Sequence, residues 1–180
     1  PTDRNVTEVK KGFTEALKGS NLKIVYSDYC DNWLAELAAV HMNEGLKITD
    51  DIAGVMCGND DLAGQAVKVL SENRLAGKVA LVAQDAELAA CQRIVEGTQY
   101  MTVYKPIEQE AATAATLAVA LAKGEDITSA DYDIPVTDTI SDGKKEIPYY
   151  KIEPVAVTAE NMDKEIISSR FHLKNEVYLN

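Results

Sequence analysis

One hundred and eighty residues, 46% of them hydrophobic, suffice for one core, or for one core with a few elements that belong to another. A net charge of −11 sets the chain against nucleic acid and anionic membrane surfaces, and leaves neutral or cationic ligands. No run of about 18 apolar residues would span a membrane, and the opening "PTDRNVTEVK" lacks a basic stretch followed by an apolar one, which reads as a processed protein, an excised segment or a cytosolic one.

Helical periodicity and short apolar runs alternate along the chain, the pattern of βα units on a parallel sheet. "VTEVKKGFTEAL" predicts a helix and "LKIVYS" a first strand. "DNWLAELAAVHMNEG" predicts a helix with Asp31 or Asn32 as N-cap and Gly45 as C-cap. "IAGVMCG" is the next strand, and "NDDLAGQAVKVLSENRL" a helix whose Asp60 and Asp61 suit the positive end of the helix dipole. "GKVALVAQ", "DAELAACQRIVEG" and "YMTVY" continue as strand, helix and strand. A long helix, "IEQEAATAATLAVALAKG", opens after Pro106 and stops at Gly124. Its apolar residues cover more than one face, so it expects substantial burial.

Beyond Gly124 the character changes, with Pro135, Pro148, Pro154 and a "SDGKK" turn. This predicts a crossing segment, a loop, one strand near 149–157 and a helix opened by Thr158. The expected organisation is a lobe over 1–106, a helix and crossing segment over 107–140, and a returning strand and terminal helix over 141–180.

Parallel α/β sheets bind ligands outside the carboxyl ends of their strands, where loops diverge and helix N-termini offer unpaired N–H groups. The four expected strands deliver Asp28 and Tyr29, then Asn59 and Asp60, then Gln84 and Asp85, then Lys105. Singly, each has a plain structural reading: Asn59 and Asp85 as helix N-caps, Tyr29 as a half-buried edge, Lys105 as a solvated strand end. Jointly, an amide, a carboxylate, an ammonium and an aromatic ring on one edge suit a ligand rich in hydroxyl groups, since each hydroxyl both donates and accepts. Cys30, Cys57 and Cys91 are widely spaced and read as packing thiols, and the isolated His41 and His172 give no support to histidine catalysis. No nucleotide-binding glycine pattern, nucleophile elbow or metal-ligand cluster is present, so the chain reads as a binder without cofactor or metal rather than an enzyme.

"GVMCGNDDLAGQAVKVL", "VALVAQDAELAACQRIVEGTQYMTVYKP" and "PTDRNVTEVKKGF" resemble the periplasmic sugar-binding proteins of type I fold, most of all the D-xylose-binding proteins of ABC importers. "VYSDYCDNWLAE" and "IEPVAVTAENMDKEII" agree more loosely. The resemblance implies two α/β lobes closing on one monosaccharide by a hinge motion, with Asn59, Asp85 and Lys105 bonding the sugar from the C-terminal lobe. It puts Tyr29 where a stacking tryptophan is expected and Asn5 near the lobe junction. The chain starts where the family's second lobe starts. The first lobe is therefore expected on a missing segment or a separate chain, with the 107–123 helix packing on it or driving self-association. An extracytoplasmic location, periplasmic or lipid-anchored at the cell surface, and a partner that is an ABC permease or a membrane sensor follow from the same resemblance.

The alternative is a phosphoacceptor receiver domain, in which Asp28, Asp60 and Asp85 would bind Mg²⁺ and Lys105 the phosphate. A sugar-responsive repressor domain shares the fold but needs a helix-turn-helix, which "PTDRNVTEVKKGF" does not provide.

Overall fold

The apolar runs at 54–56, 80–84 and 101–104 build the sheet. The structure, a computed structural model, describes every residue except Pro1, Ala130, Asp131, Pro135, Thr137 and Asn180. It falls into two compact units, residues 1–104 with 155–180, and residues 105–154.

In the first unit β1 (Gly54–Met56) pairs in parallel with β2 (Ala80–Gln84), and β2 with β3 (Met101–Tyr104). A fourth strand, β6 (Val155–Val157), closes the far side antiparallel to β3. The register sets Ala83 opposite Thr102 and Thr102 opposite Val157, so Leu81, Ala83, Thr102, Tyr104 and Val157 share one face. All five are buried, whereas Met56, Val82 and Val103 on the opposite face are half-buried.

The helices α3 (Asp60–Glu72) and α4 (Leu88–Glu96) follow β1 and β2 and bring apolar stripes to this sheet. One core cluster joins Met42, Ala66, Val69 and Leu70 to Leu81 and Ala83. The other joins Cys91, Ile94, Met162, Ile166 and Val177 to Tyr104 and Val157. The fold class is therefore α/β, a parallel sheet flanked by helices, with one antiparallel strand returning the chain.

Several expected boundaries shift for local reasons. Residues 22–27 pair with no strand, and Leu22, Ile24 and Val25 are about half exposed. An apolar strand needs cover, and α1 (Arg4–Ala16) buries no residue and supplies none. The next helix does not start at Asp31 or Asn32. Residues 31–33 form a 3-10 turn in which Asn32 and Trp33 take left-handed backbone (φ 54° and 58°), so α2 is Ala35–Ile48. It runs through Gly45 and ends at Thr49 instead.

The single strand expected near 149–157 is two, β5 (Glu146–Tyr149) and β6. The helix expected from Thr158 starts later: the Thr158 N–H donates to Asn161 Oδ1 at 2.8 Å across a turn at 159–161. A π-helical turn (Asp163–Ile167) and the short α6 (Lys174–Tyr178) follow.

The second unit holds α5 (Ile107–Lys123), which follows Pro106 and ends at Gly124 in left-handed backbone (φ 75°). Along α5 only Ala120 is buried, while Ile107, Val119 and Leu121 are 56%, 54% and 59% exposed. A hairpin of β4 (Asp138–Ser141) and β5 turns through Gly143, with Asp142 Oδ1 accepting from the N–H groups of Lys144 and Lys145. Pro135, in the expected crossing segment, lies outside the described residues.

This division of labour predicts that Leu81→Ala, which empties a fully buried site in the central strand, lowers unfolding free energy by about 2–5 kcal/mol. Val25→Ala, on the unpaired segment, changes it by no more than about 0.5 kcal/mol. Urea unfolding of the two variants checks the contrast.

Candidate functional site

The carboxyl edge of the sheet is built from two successive strand-to-helix turns. After β1 the chain passes Cys57 and Gly58 to Asn59, which caps α3 by accepting from the Leu62 N–H at 3.0 Å. Asn59 thus takes the structural role open to it, and only its carbonyl oxygen is used. The Asn59 amide nitrogen donates to no described residue, so a hydrogen-bond donor stays available beside a helix N-terminus. Gly58 is held from the neighbouring turn, its carbonyl accepting from Gln84 Nε2 at 2.7 Å.

Gly58 also permits a close approach. A Cβ there would lie 2.9 Å from the ring of Trp33, so the indole packs against the backbone that precedes Asn59. The left-handed 3-10 turn at 31–33 presents that ring, and its Nε1–H donates to Asp3 Oδ2 at 3.3 Å. Trp33 therefore brings an aromatic ring to this edge. Composition and position held the signal, since Trp33 is the sole tryptophan and a glycine precedes Asn59.

After β2 the backbone does something unusual. Asp85 and Ala86 both take positive φ, 104° and 52°, in conformations that non-glycine residues adopt at a cost of order 1–3 kcal/mol each. Asp85 does not cap α4, whose N-cap is Glu87 without a side-chain bond. The turn is over-determined by its surroundings. The Asp85 N–H donates to Val103 O at 2.9 Å, the Ala86 N–H to Thr102 Oγ1 at 3.0 Å, and the Glu87 N–H to Asp60 Oδ2 at 3.1 Å.

Asp60 is fully buried and its carboxylate is engaged at both oxygens. Oδ2 also accepts from Thr102 Oγ1 at 2.7 Å and Oδ1 from Gln99 Nε2 at 2.8 Å. Arg93 completes the group, donating to Asp60 O at 2.9 Å and to Gln99 Oε1 at 2.9 Å. Burial pushes the Asp60 carboxyl above its ordinary range, against the pull of Thr102, Gln99, the Glu87 N–H and the Arg93 charge. The helix-dipole role expected of Asp60 is thus minor beside its place in this network. A receiver-type Mg²⁺ site is also removed, because both carboxylate oxygens are committed to protein donors. Among the described residues no group of acids, histidines and cysteines could hold a metal ion.

Tyr29, Asn5 and Lys105, the other expected site residues, lie outside these two turns in the chain. Tyr29 is exposed, with Lys10 Nζ 3.2 Å from its hydroxyl and 4.7 Å from its ring centre. Its carbonyl bonds His41 Nε2 at 3.1 Å, while His41 Nδ1 meets Tyr26 at 3.0 Å and Asp28 at 3.6 Å. Asn5 lies exposed in the first turn of α1, its N–H capped by Asp3 at 2.8 Å. Lys105 is the residue that follows β3 and belongs to the second unit. Burial pushes the thiols of Cys57 and Cys91 up to about 12, which keeps both protonated and fits packing roles. A recess of about 400 Å³ lies at the opposite, amino end of the strands, lined by Gly77, Val79, Gln99, Tyr100 and Thr158. It faces away from both turns.

Residues 1–126 match the model of the periplasmic binding protein domain. The chain belongs to the periplasmic binding protein family. It is 38% identical over 99% of its length to the D-xylose-binding periplasmic protein of Haemophilus influenzae, and 37% identical over 98% to that of Escherichia coli. It covers 53% of each, so it spans about half the length of these curated relatives. The carbohydrate transporter solute-binding protein of Chloroflexus aurantiacus, solved with D-glucose, superposes with a TM-score of 0.67 at 26% identity, over 81% of this chain and 42% of that one. In this periplasmic binding protein lobe, the two turns with the most committed geometry are those that follow β1 and β2.

If Trp33 rests on Gly58, then Gly58→Ala displaces the ring by steric contact and breaks its bond to Asp3. The emission of this single tryptophan is expected to shift to longer wavelength as the indole meets water. An unchanged spectrum would contradict the packing.

Proposed function

We propose that this lobe binds a monosaccharide of the D-xylose type, without chemical change, as half of the cleft of a solute-binding protein. What supports the reading most is the pairing, at one edge, of an amide with a spare donor at Asn59 and a carboxylate at Asp85, beside the Trp33 ring. β1 and β2 are direct neighbours, so the two turns start from strands about 4.8 Å apart, close enough for side chains from both to reach one sugar ring. An aromatic face covers the C–H side of a sugar ring, and charge-assisted bonds from a carboxylate orient its hydroxyls. Lys105, directly after β3, is the cationic member of the set that the family resemblance implies. Trp33 takes the stacking role in place of Tyr29, and Asn5 is a weaker candidate.

The sugar is enclosed between this lobe and a first lobe supplied by the remainder of the protein. Tight binding of small ligands rests on burying most of their surface, which one edge of one sheet does not do. The exposed apolar residues of α5, Ile107, Val119 and Leu121, are the surface offered to that lobe. Location outside the cytoplasm and delivery to an ABC permease go with this reading. The same binding step would serve a membrane sensor.

Calorimetry with D-xylose, D-ribose and D-glucose tests the proposal, on this chain and on a form that carries the first lobe. The lone chain is expected to bind weakly and the two-lobe form tightly, one sugar per protein. In the two-lobe form Asp85→Ala and Lys105→Ala should each remove a charge-assisted bond worth about 1.5–3 kcal/mol, or roughly 10- to 100-fold in affinity. Tight binding by the lone chain would contradict the half-cleft reading, and a two-lobe form that binds none of the three sugars would overturn the substrate class.

A further inference from the structure

We infer that Asp60 and Thr102 form a positioning pair that fixes the left-handed turn at Asp85 and Ala86, and with it the direction of the Asp85 carboxylate. The functional half of this inference rests on the sugar-binding reading above, while the structural half stands alone.

Asp85 and Ala86 hold conformations that short turns of ordinary residues avoid, so something must hold them there. The backbone N–H groups that follow Asp85 both end on one buried pair. Ala86 donates to the Thr102 hydroxyl, which in turn donates to Asp60, and Glu87 donates to the same Asp60 oxygen. Asp60 and Thr102 are each 0% exposed, and Gln99, the third partner, is 2% exposed. Water therefore offers no substitute partner, and a lost acceptor leaves a buried N–H unpaired.

The pair also ties the two candidate turns together. Asp60 directly follows Asn59 in the chain, so the residue that anchors the Asp85 turn is part of the Asn59 turn. A change in either turn is transmitted to the other through one carboxylate. Neither Asp60 nor Thr102 is exposed enough to touch a ligand, which makes them positioning residues and not binding ones.

The test uses the full chain with Thr102→Val, Thr102→Ser and Asp60→Asn. Valine keeps the shape of threonine and removes only the hydroxyl, serine restores the hydroxyl, and asparagine replaces one acceptor oxygen with a donor. Amide NMR then reads the three-bond HN–Hα couplings of Asp85 and Ala86, which report φ in the folded state, and the exchange rates of the Ala86 and Glu87 amides. Thr102→Val and Asp60→Asn are expected to shift both couplings and to speed these two amides at least tenfold, with Val82 and Val103 within about twofold of wild type. Thr102→Ser should behave as wild type. In parallel, D-xylose binding by the two-lobe form should weaken about tenfold when it carries either of the first two substitutions. Unchanged couplings, with all amides faster by one common factor or none faster, would overturn the inference. Should Thr102→Val fail to fold, Asp60→Asn is read at the same amides and decides it. If the wild-type two-lobe form takes no sugar, the binding proposal falls and the couplings still decide the positioning role.

Discussion

A carboxylate with no access to water is the constraint around which the carboxyl edge is arranged. Removing an ionised aspartate from water costs several kcal/mol unless its oxygens are paired. Asp60 meets that cost with three donors: Thr102 on β3, Gln99 before it, and the Glu87 N–H at the entry to α4. Those donors are held in turn, Gln99 by Arg93 and Thr102 by its place in the sheet. Satisfying one buried charge therefore fixes the relation of β1, β2 and β3 at the end where two strands deliver polar side chains.

The same constraint explains where strain is tolerated. Left-handed backbone at Asp85 and Ala86 would relax in an isolated turn, yet here relaxation would strand two buried N–H groups and expose a charge to an apolar interior. The cost of the conformation is smaller than the cost of leaving it. At the other turn the same economy of parts applies, because Asn59 spends its oxygen on the α3 cap and keeps its nitrogen, and Gly58 gives up a side chain so that an indole can lie on its backbone.

The sequence was legible wherever local signals and burial agreed. Apolar runs ending in polar residues located β1, β2 and β3, and the Pro106 to Gly124 span of α5 follows from a proline start and a glycine stop. Residues 22–27 failed that rule, because alternation of apolar residues reports a preference for a strand but not the presence of a partner or a cover. The start of α2 was displaced by left-handed residues at Asn32 and Trp33, of which only the asparagine is a type that favours that conformation. For the candidate site, strand-end position put Asn59 and Asp85 after β1 and β2, where the structure has them. It could not distinguish Asp60 from its exposed neighbour Asp61, since burial of one and not the other depends on Thr102 and Gln99, some forty residues away. The packing of Trp33 on Gly58 was not legible for the same reason, since that contact is made across the fold.

A sugar edge at the carboxyl ends of β1 and β2 has one direct consequence. Titration of the labelled two-lobe form with D-xylose, followed by two-dimensional amide NMR, is predicted to shift the resonances of Asn59, Asp85, Ala86 and the Trp33 indole together along one binding curve. Shifts confined to Gly77, Tyr100 and Thr158 at the opposite end of the strands, or no shifts at millimolar sugar, would contradict it.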